Sequence, residues 1–100
     1  MDFLKKLFGM KTREDYKKMI EQGGTIIDVR TPAEFKMGHP NGAKNIPLQN
    51  LESKISEIKK MKQPIIVCCA SGMRSASAKA ILEKHGLEVH NAGPWTNLNF

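Results

Sequence analysis

Ile65-Ile66-Val67-Cys68-Cys69-Ala70-Ser71-Gly72-Met73-Arg74 is the stretch that decides the fold. The run from Ile65 to Cys69 is apolar and rich in β-branched residues, which fits a strand buried on both faces. Ala70, Ser71 and Gly72 make a loop of small residues. Met73 to His85 then reads as a helix with Ala76, Ala80 and Ile81 facing in and Gly86 as its stop. Upstream, Thr25-Ile26-Ile27-Asp28-Val29 is a second buried strand, and Thr31-Pro32-Ala33-Glu34 a capping box with Pro at the first helical position. Thr12-Arg13-Glu14-Asp15 opens an earlier helix that carries Tyr16, Met19 and Ile20 and ends at Gly23-Gly24. Ala43 to Ile46 suits a short strand, and Leu51, Ile55, Ile58 and Met61 mark a helix stopped before Pro64. Leu87 to His90 is a last strand. Helices alternating with strands predict an α/β domain with a mostly parallel sheet.

Composition narrows the function. One hundred residues make one small domain, and 40% hydrophobic against 26% charged residues is globular rather than disordered. No apolar run reaches the roughly 18–20 residues of a membrane span. Two adjacent cysteines are not a secreted disulfide framework. Of the 16 cations behind the net charge of +6, all but Arg13, Arg30 and Arg74 are Lys. Lys-rich solvated surface explains that charge better than a nucleic-acid interface, so no nucleic-acid partner is expected. Phe3, Leu4, Leu7 and Phe8 share one helical face of residues 1–11, an amphipathic arm that packs on the domain or rests on a membrane surface or partner. The arm lacks a signal peptide's apolar core, and with an unpaired reactive Cys this points to the cytoplasm.

In a parallel α/β sheet, ligands bind at the carboxyl ends of the strands. Asp28-Val29-Arg30 and the loop from Cys69 to Arg74 put polar groups there. A Cys at a strand end, a loop of small residues and a helix start form an anion-binding nest, with backbone N–H groups turned inward and the positive end of the helix behind them. Such a Cys has a lowered pKa and is a ready nucleophile. Arg74 is a cation at a helix N-terminus, a position that ordinarily disfavours it, so another demand places it there. Side chains alternate along a strand, so Cys68 and Cys69 face opposite ways and only one enters the loop.

The chain resembles the single-domain rhodaneses, the small sulfurtransferases, from about Thr12 to Trp95. Four segments carry the resemblance: Ile26 to Phe35, Gly38 to Pro47, the loop Cys69 to Ser75, and the closing Ala92-Gly93-Pro94-Trp95. Pro40 and Pro94 depart from the family pattern, which often has Ile at the first position and a second Gly at the other. The resemblance implies a doubly wound, mostly parallel sheet of about five short strands flanked by helices. The domain would span residues 12–100, with Met10-Lys11 as the candidate for a first strand. It implies that Cys69 takes a sulfane sulfur as a persulfide and that the backbone of Ala70, Ser71, Gly72, Met73 and Arg74 cradles that sulfur or an incoming oxyanion. Asp28 and Arg30 would brace the loop, Glu34 would pair with a nearby Arg, and His39 would serve the turn rather than catalysis. Neither metal nor organic cofactor is needed. The implied partners are a small sulfur donor such as thiosulfate or a persulfide, and a thiol, cyanide or protein acceptor.

Two alternatives stay open at this point. Counted from Cys68, the spacing to Arg74 and Ser75 is that of the phosphate loop of cysteine phosphatases and related arsenate reductases. Cys68 would then attack phosphorus, although no Asp follows the loop to serve as general acid. The other alternative is a persulfide carrier or docking module that delivers sulfur to a partner without free turnover.

Overall fold

The computed structural model describes residues 10–100. The arm lies outside the described residues except for Met10 and Lys11, which adopt no regular structure and form no strand. Thr12 and Asp15 cap helix α1 (Arg13–Glu21) reciprocally, the Thr12 hydroxyl taking the Asp15 N–H and the Asp15 carboxylate the Thr12 N–H. Strand β1 (Thr25–Asp28) follows Gly24 and leads to the short helix α2 (Pro32–Lys36), whose Thr31–Glu34 capping box forms as expected. Strand β2 is confined to Lys44–Asn45.

After a 3-10 turn at Leu48–Asn50, the stretch from Leu51 to Met61 expected as one amphipathic helix winds as a second 3-10 turn (Glu52–Lys54) and the short helix α3 (Ile55–Ile58). The Ser53 hydroxyl donates to the Asn50 carbonyl, a local bond that competes with regular helix. Strand β3 (Ile65–Cys69), helix α4 (Met73–Glu83) and strand β4 (Val89–Pro94) complete the alternation, with a 3-10 turn at Trp95–Leu98.

All strand pairs are parallel, and the order is β2-β1-β3-β4. The described residues thus form four strands, where about five were expected. Period-2 alternation divides the core between the two faces of the sheet. Ile27, Val29, Ile65, Val67 and Cys69 pack with Leu51, Ile58, Ala78 and Leu82 on one face. Ile26, Ile66 and Cys68 pack with Tyr16, Ala92 and Leu98 on the other. The sheet is therefore sandwiched between helices on both sides, as an α/β doubly wound chain requires. No helix among the described residues is long and apolar enough to cross a membrane.

One helix face differs from expectation. On α4 the buried residues are Ser75, Ala78 and Leu82, whereas Ala76 and Ala80 are exposed. The reason is local: Ser75 faces the Cys69 sulfur, which fixes the rotation of the helix.

Candidate active site

The chain leaves β1 and moves to β2 on one side, then returns to place β3 on the other. The carboxyl ends of β1 and β3 therefore meet at a topological switch point, the crevice where open α/β sheets bind ligands. Cys69 ends β3 there, fully buried beneath the exposed loop residues Ala70, Ser71 and Met73.

Gly72 turns the loop into α4 with φ of +103°, left-handed backbone that suits glycine. A Cβ at Gly72 would lie 3.2 Å from the Cα of Gly93, so the β4 end and the loop touch backbone to backbone. That turn aims the Gly72 N–H at the Cys69 Sγ (3.0 Å), and the first turn of α4 adds the Ser75 N–H (3.4 Å) and the Ser75 hydroxyl (3.3 Å). Burial alone would raise the thiol pKa; the Ser75 hydroxyl and the N–H groups of Ser75, Gly72 and Ser71 outweigh it, and the pKa falls below the ordinary value. A low thiol pKa in a ring of donors is the electrostatic signature of a nucleophilic thiolate.

The cradle of Ala70 to Arg74 was expected around a persulfide's outer sulfur or an oxyanion. Of these residues, Gly72 hydrogen-bonds the Cys69 Sγ itself, and the N–H groups of Ala70, Met73 and Arg74 do not. Ser75 does, by hydroxyl and by backbone. Behind it stands Asn91 on β4, whose Oδ1 accepts from the Ser75 hydroxyl (2.7 Å) and the Gly93 N–H (2.9 Å) while its Nδ2 donates to the Gly72 carbonyl (3.2 Å). Sequence reasoning passed over Asn91. The signal that could have found it is the pairing of β3 with β4, which sets Asn91 beside Val67 next to the strand end that carries Cys69.

Cys68 faces the other side. It is fully buried, and burial, with the Asp28 carboxylate next, pushes its thiol far above the ordinary value. Neither the loop N–H groups nor a low pKa therefore supports Cys68 as a nucleophile.

Arg74 meets Glu34 in a bidentate pair, Nη1 to Oε1 at 2.7 Å and Nη2 to Oε2 at 2.9 Å. This pairing is the demand that holds a cation in the first turn of α4. The same Glu34 Oε1 accepts from the Thr31 N–H and hydroxyl, so one carboxylate both caps α2 and ties down the loop helix. The Arg74 guanidinium, then the Thr31 N–H, hold the Glu34 pKa down at about 2.

Asp28 and Arg30 form a second pair, fully sequestered, with Arg30 Nη2 to Asp28 Oδ2 at 2.7 Å and Nε to Oδ1 at 2.9 Å. Arg30 also donates to the carbonyls of Glu34 (3.3 Å) and Gly38 (2.6 Å), and its guanidinium lies 4.8 Å from the Trp95 ring centroid. Neither residue hydrogen-bonds the loop. Their brace is indirect: they fix the 34–38 segment, and Glu34 carries the hold on to Arg74. His39 stacks on Phe35 at 3.8 Å, and its Nδ1 meets the Phe35 carbonyl, a turn contact as expected.

Comparison with known proteins agrees with this geometry. Residues 12–93 match the Rhodanese-like domain family. The chain is 38% identical over 89 residues to the protein YqhL of Bacillus subtilis (strain 168), covering 88% of this chain and 66% of that one. It is 39% identical over 69 residues to the thiosulfate sulfurtransferase PspE of Escherichia coli (strain K12), covering 67% of this chain and 66% of that one. The chain thus spans slightly less than two thirds of these relatives' own length. Among solved structures, a rhodanese with anions from E. coli superposes with a TM-score of 0.67 at 34% identity, over 74% of this chain and 89% of the other. By its sequence match over most of its length and by its fold, the chain belongs to the rhodanese-like domain family.

Proposed function

We propose that the chain is a sulfurtransferase that carries sulfane sulfur as a persulfide on Cys69. The observation that carries this reading is the convergence of the Gly72 N–H, Ser75 N–H and Ser75 hydroxyl on the Cys69 sulfur. Relatives named thiosulfate sulfurtransferase support the same chemistry.

The reaction has two halves. The Cys69 thiolate attacks the outer sulfur of a donor such as thiosulfate. A Cys69 S–S bond forms, the donor's S–S bond breaks, and sulfite leaves with the bonding electron pair. The negative charge then rests on the terminal sulfur of the persulfide, next to the N–H groups of the loop and the positive end of α4. In the second half, cyanide or a thiolate attacks that terminal sulfur. The product is thiocyanate or a new persulfide, and the Cys69 thiolate returns. No step needs an external base once Cys69 is ionised, and turnover is ping-pong.

Intact-mass measurement after incubation with thiosulfate tests the reading. Wild type gains the mass of one sulfur atom, Cys68→Ser gains it too, and Cys69→Ser does not. A gain that persists in Cys69→Ser and disappears in Cys68→Ser overturns the assignment. Persulfide on Cys69 with no release to cyanide or thiols points to the carrier reading instead. Hydrolysis of an aryl phosphate lost in Cys68→Ser would establish the phosphatase alternative.

A further inference from the structure

The Ser75 hydroxyl has a single proton and two neighbours that can take it: the Asn91 Oδ1 at 2.7 Å and the Cys69 Sγ at 3.3 Å. Backbone groups fix which end of the Asn91 amide faces Ser75. The Gly93 N–H can only donate, and it points to the same Oδ1; the Gly72 carbonyl can only accept, and it takes Nδ2. Oδ1 is thus an obligatory acceptor. Asn91 is half-buried, with these groups as its partners, and Ser75 is fully buried.

Proton bookkeeping then gives two states. With Cys69 protonated, its S–H donates to the Ser75 oxygen and the Ser75 proton lies on Asn91. With Cys69 ionised, its proton has gone to solvent, the sulfur can only accept, and the Ser75 O–H swings to it. Asn91 Oδ1 then keeps only the Gly93 N–H. We propose that Asn91 is a positioning residue that competes with the Cys69 sulfur for the Ser75 proton and so sets how much thiolate the site holds.

The inference rests on Cys69 as the reacting sulfur, and it gives the sulfur-transfer cycle a further feature. On persulfide formation the charge leaves Sγ for the outer sulfur, and the Ser75 proton is free to return to Asn91. The site therefore offers its extra donor to the resting thiolate, withdraws it while Sγ is the neutral inner sulfur of the persulfide, and offers it again as Sγ leaves with the bonding pair in the second half-reaction. The two N–H donors of Gly72 and Ser75 stay in place throughout, since backbone cannot rotate as a hydroxyl does.

The test is the pH dependence of Cys69 alkylation by iodoacetamide, read by mass in wild type, Asn91→Asp, Ser75→Ala and the double variant. An aspartate at position 91 holds the Ser75 proton more tightly. Its alkylation midpoint rises by roughly 0.5–1 unit, a threefold to tenfold loss of thiolate below the midpoint. Ser75→Ala also raises the midpoint, because the sulfur loses its hydroxyl donor. In the double variant the aspartate adds little, since the serine that transmits it is gone. An unchanged midpoint in Asn91→Asp overturns the proposal. So does a shift that survives in full on the Ser75→Ala background, because it would then be charge acting through space.

Wild-type protein gives a second measurement should the aspartate variant fail to fold. The Asn91 side-chain amide and Gly93 backbone amide signals in 15N NMR titrate with the Cys69 midpoint, and the titration disappears in Ser75→Ala. Flat signals in wild type, or signals that titrate equally in Ser75→Ala, overturn the proposal. These readouts do not depend on sulfur transfer. If Cys69 takes no sulfur yet its midpoint follows Asn91 through Ser75, the sulfurtransferase reading falls and this one stands; the reverse result separates them the other way.

Discussion

Cys68 and Cys69 are chemically identical neighbours that the strand sends to opposite faces. Cys68 meets apolar side chains and the Asp28 carboxylate, and its thiol is held protonated. Cys69 meets N–H and O–H donors, and its thiol is made acidic despite full burial. Ser75 contributes most to that acidity, and the Gly72 N–H adds to it. Gly72 adopts φ of +103° to turn its N–H toward the sulfur, and a Cβ there would press on the Gly93 Cα at 3.2 Å. Gly93 is itself left-handed at φ +79°, and its N–H is tied to the Asn91 Oδ1 at 2.9 Å. Gly72→Ala therefore strains two chain segments at once, at a cost of about 1–3 kcal/mol for the left-handed alanine alone. The expected result is a melting temperature lower by about 4–8 °C per kcal/mol, together with a Cys69 alkylation midpoint shifted upward as the N–H donor is displaced. Thermal unfolding and pH-dependent alkylation of the same variant check both, and a variant matching wild type in each would show that the turn does not depend on glycine.

Helix α2 spans only Pro32–Lys36, far too short to be stable alone, and its ends must be held by other groups. Its capping box was legible in the sequence because Thr31 and Glu34 stand at the required spacing, whereas the expectation that Glu34 pairs with an Arg came only with the family resemblance. The choice of Arg was not legible, because 40 residues separate Glu34 from Arg74 and only the packed sheet brings them together. The Glu34 pKa of about 2 lies below its ordinary 4.5, chiefly through Arg74. A lowered carboxyl pKa stabilises the fold at pH values above the unfolded pKa, and that contribution disappears as pH falls through the folded pKa. The clamp is thus fully formed above about pH 4.5 and lost toward pH 2. Compared with Glu34→Gln, wild type melts higher near neutral pH, and the gap closes as pH drops from 4.5 to about 2. The pair is partly solvent-exposed, so the gap is small and narrows in high salt. A gap independent of pH and salt would mean that Arg74 is held by something other than charge. Helix α4 teaches the complementary lesson: its apolar residues alone suggested Ala76 and Ala80 as the inner face, but the bond from Ser75 to Cys69 sets its rotation. Apolar periodicity is weak where the helix is made of small residues, and a polar contact decides.

At the scale of the whole molecule, alternation of helices with β-branched runs was enough to place the Cys69 loop at the carboxyl ends of a parallel sheet, beside β1. What alternation does not carry is the wiring between elements distant in sequence, and the clearest case is the pair Asp28–Arg30. Two positions apart on one strand end, they were expected from the family resemblance to brace the Cys69 loop. In the fold they join β1 to the 34–38 segment and to Trp95, which lies beyond β4, and reach the loop only through Glu34 and Arg74. Their removal should therefore be felt by the whole fold before it is felt by the thiolate. Asp28→Asn leaves the Arg30 guanidinium buried without its counter-charge, a change that costs about 3–5 kcal/mol. That is a large share of the roughly 5–15 kcal/mol that keeps a domain folded. Urea unfolding should show the midpoint displaced to much lower denaturant with the slope unchanged, since the same surface is exposed. In the fraction that remains folded, the Cys69 alkylation midpoint should stay at its wild-type value, because Asp28 and Arg30 make no hydrogen bond to Cys69, Gly72 or Ser75. The opposite pattern, a shifted alkylation midpoint with stability retained, would move Asp28 from the frame of the molecule into the electrostatics of the Cys69 sulfur.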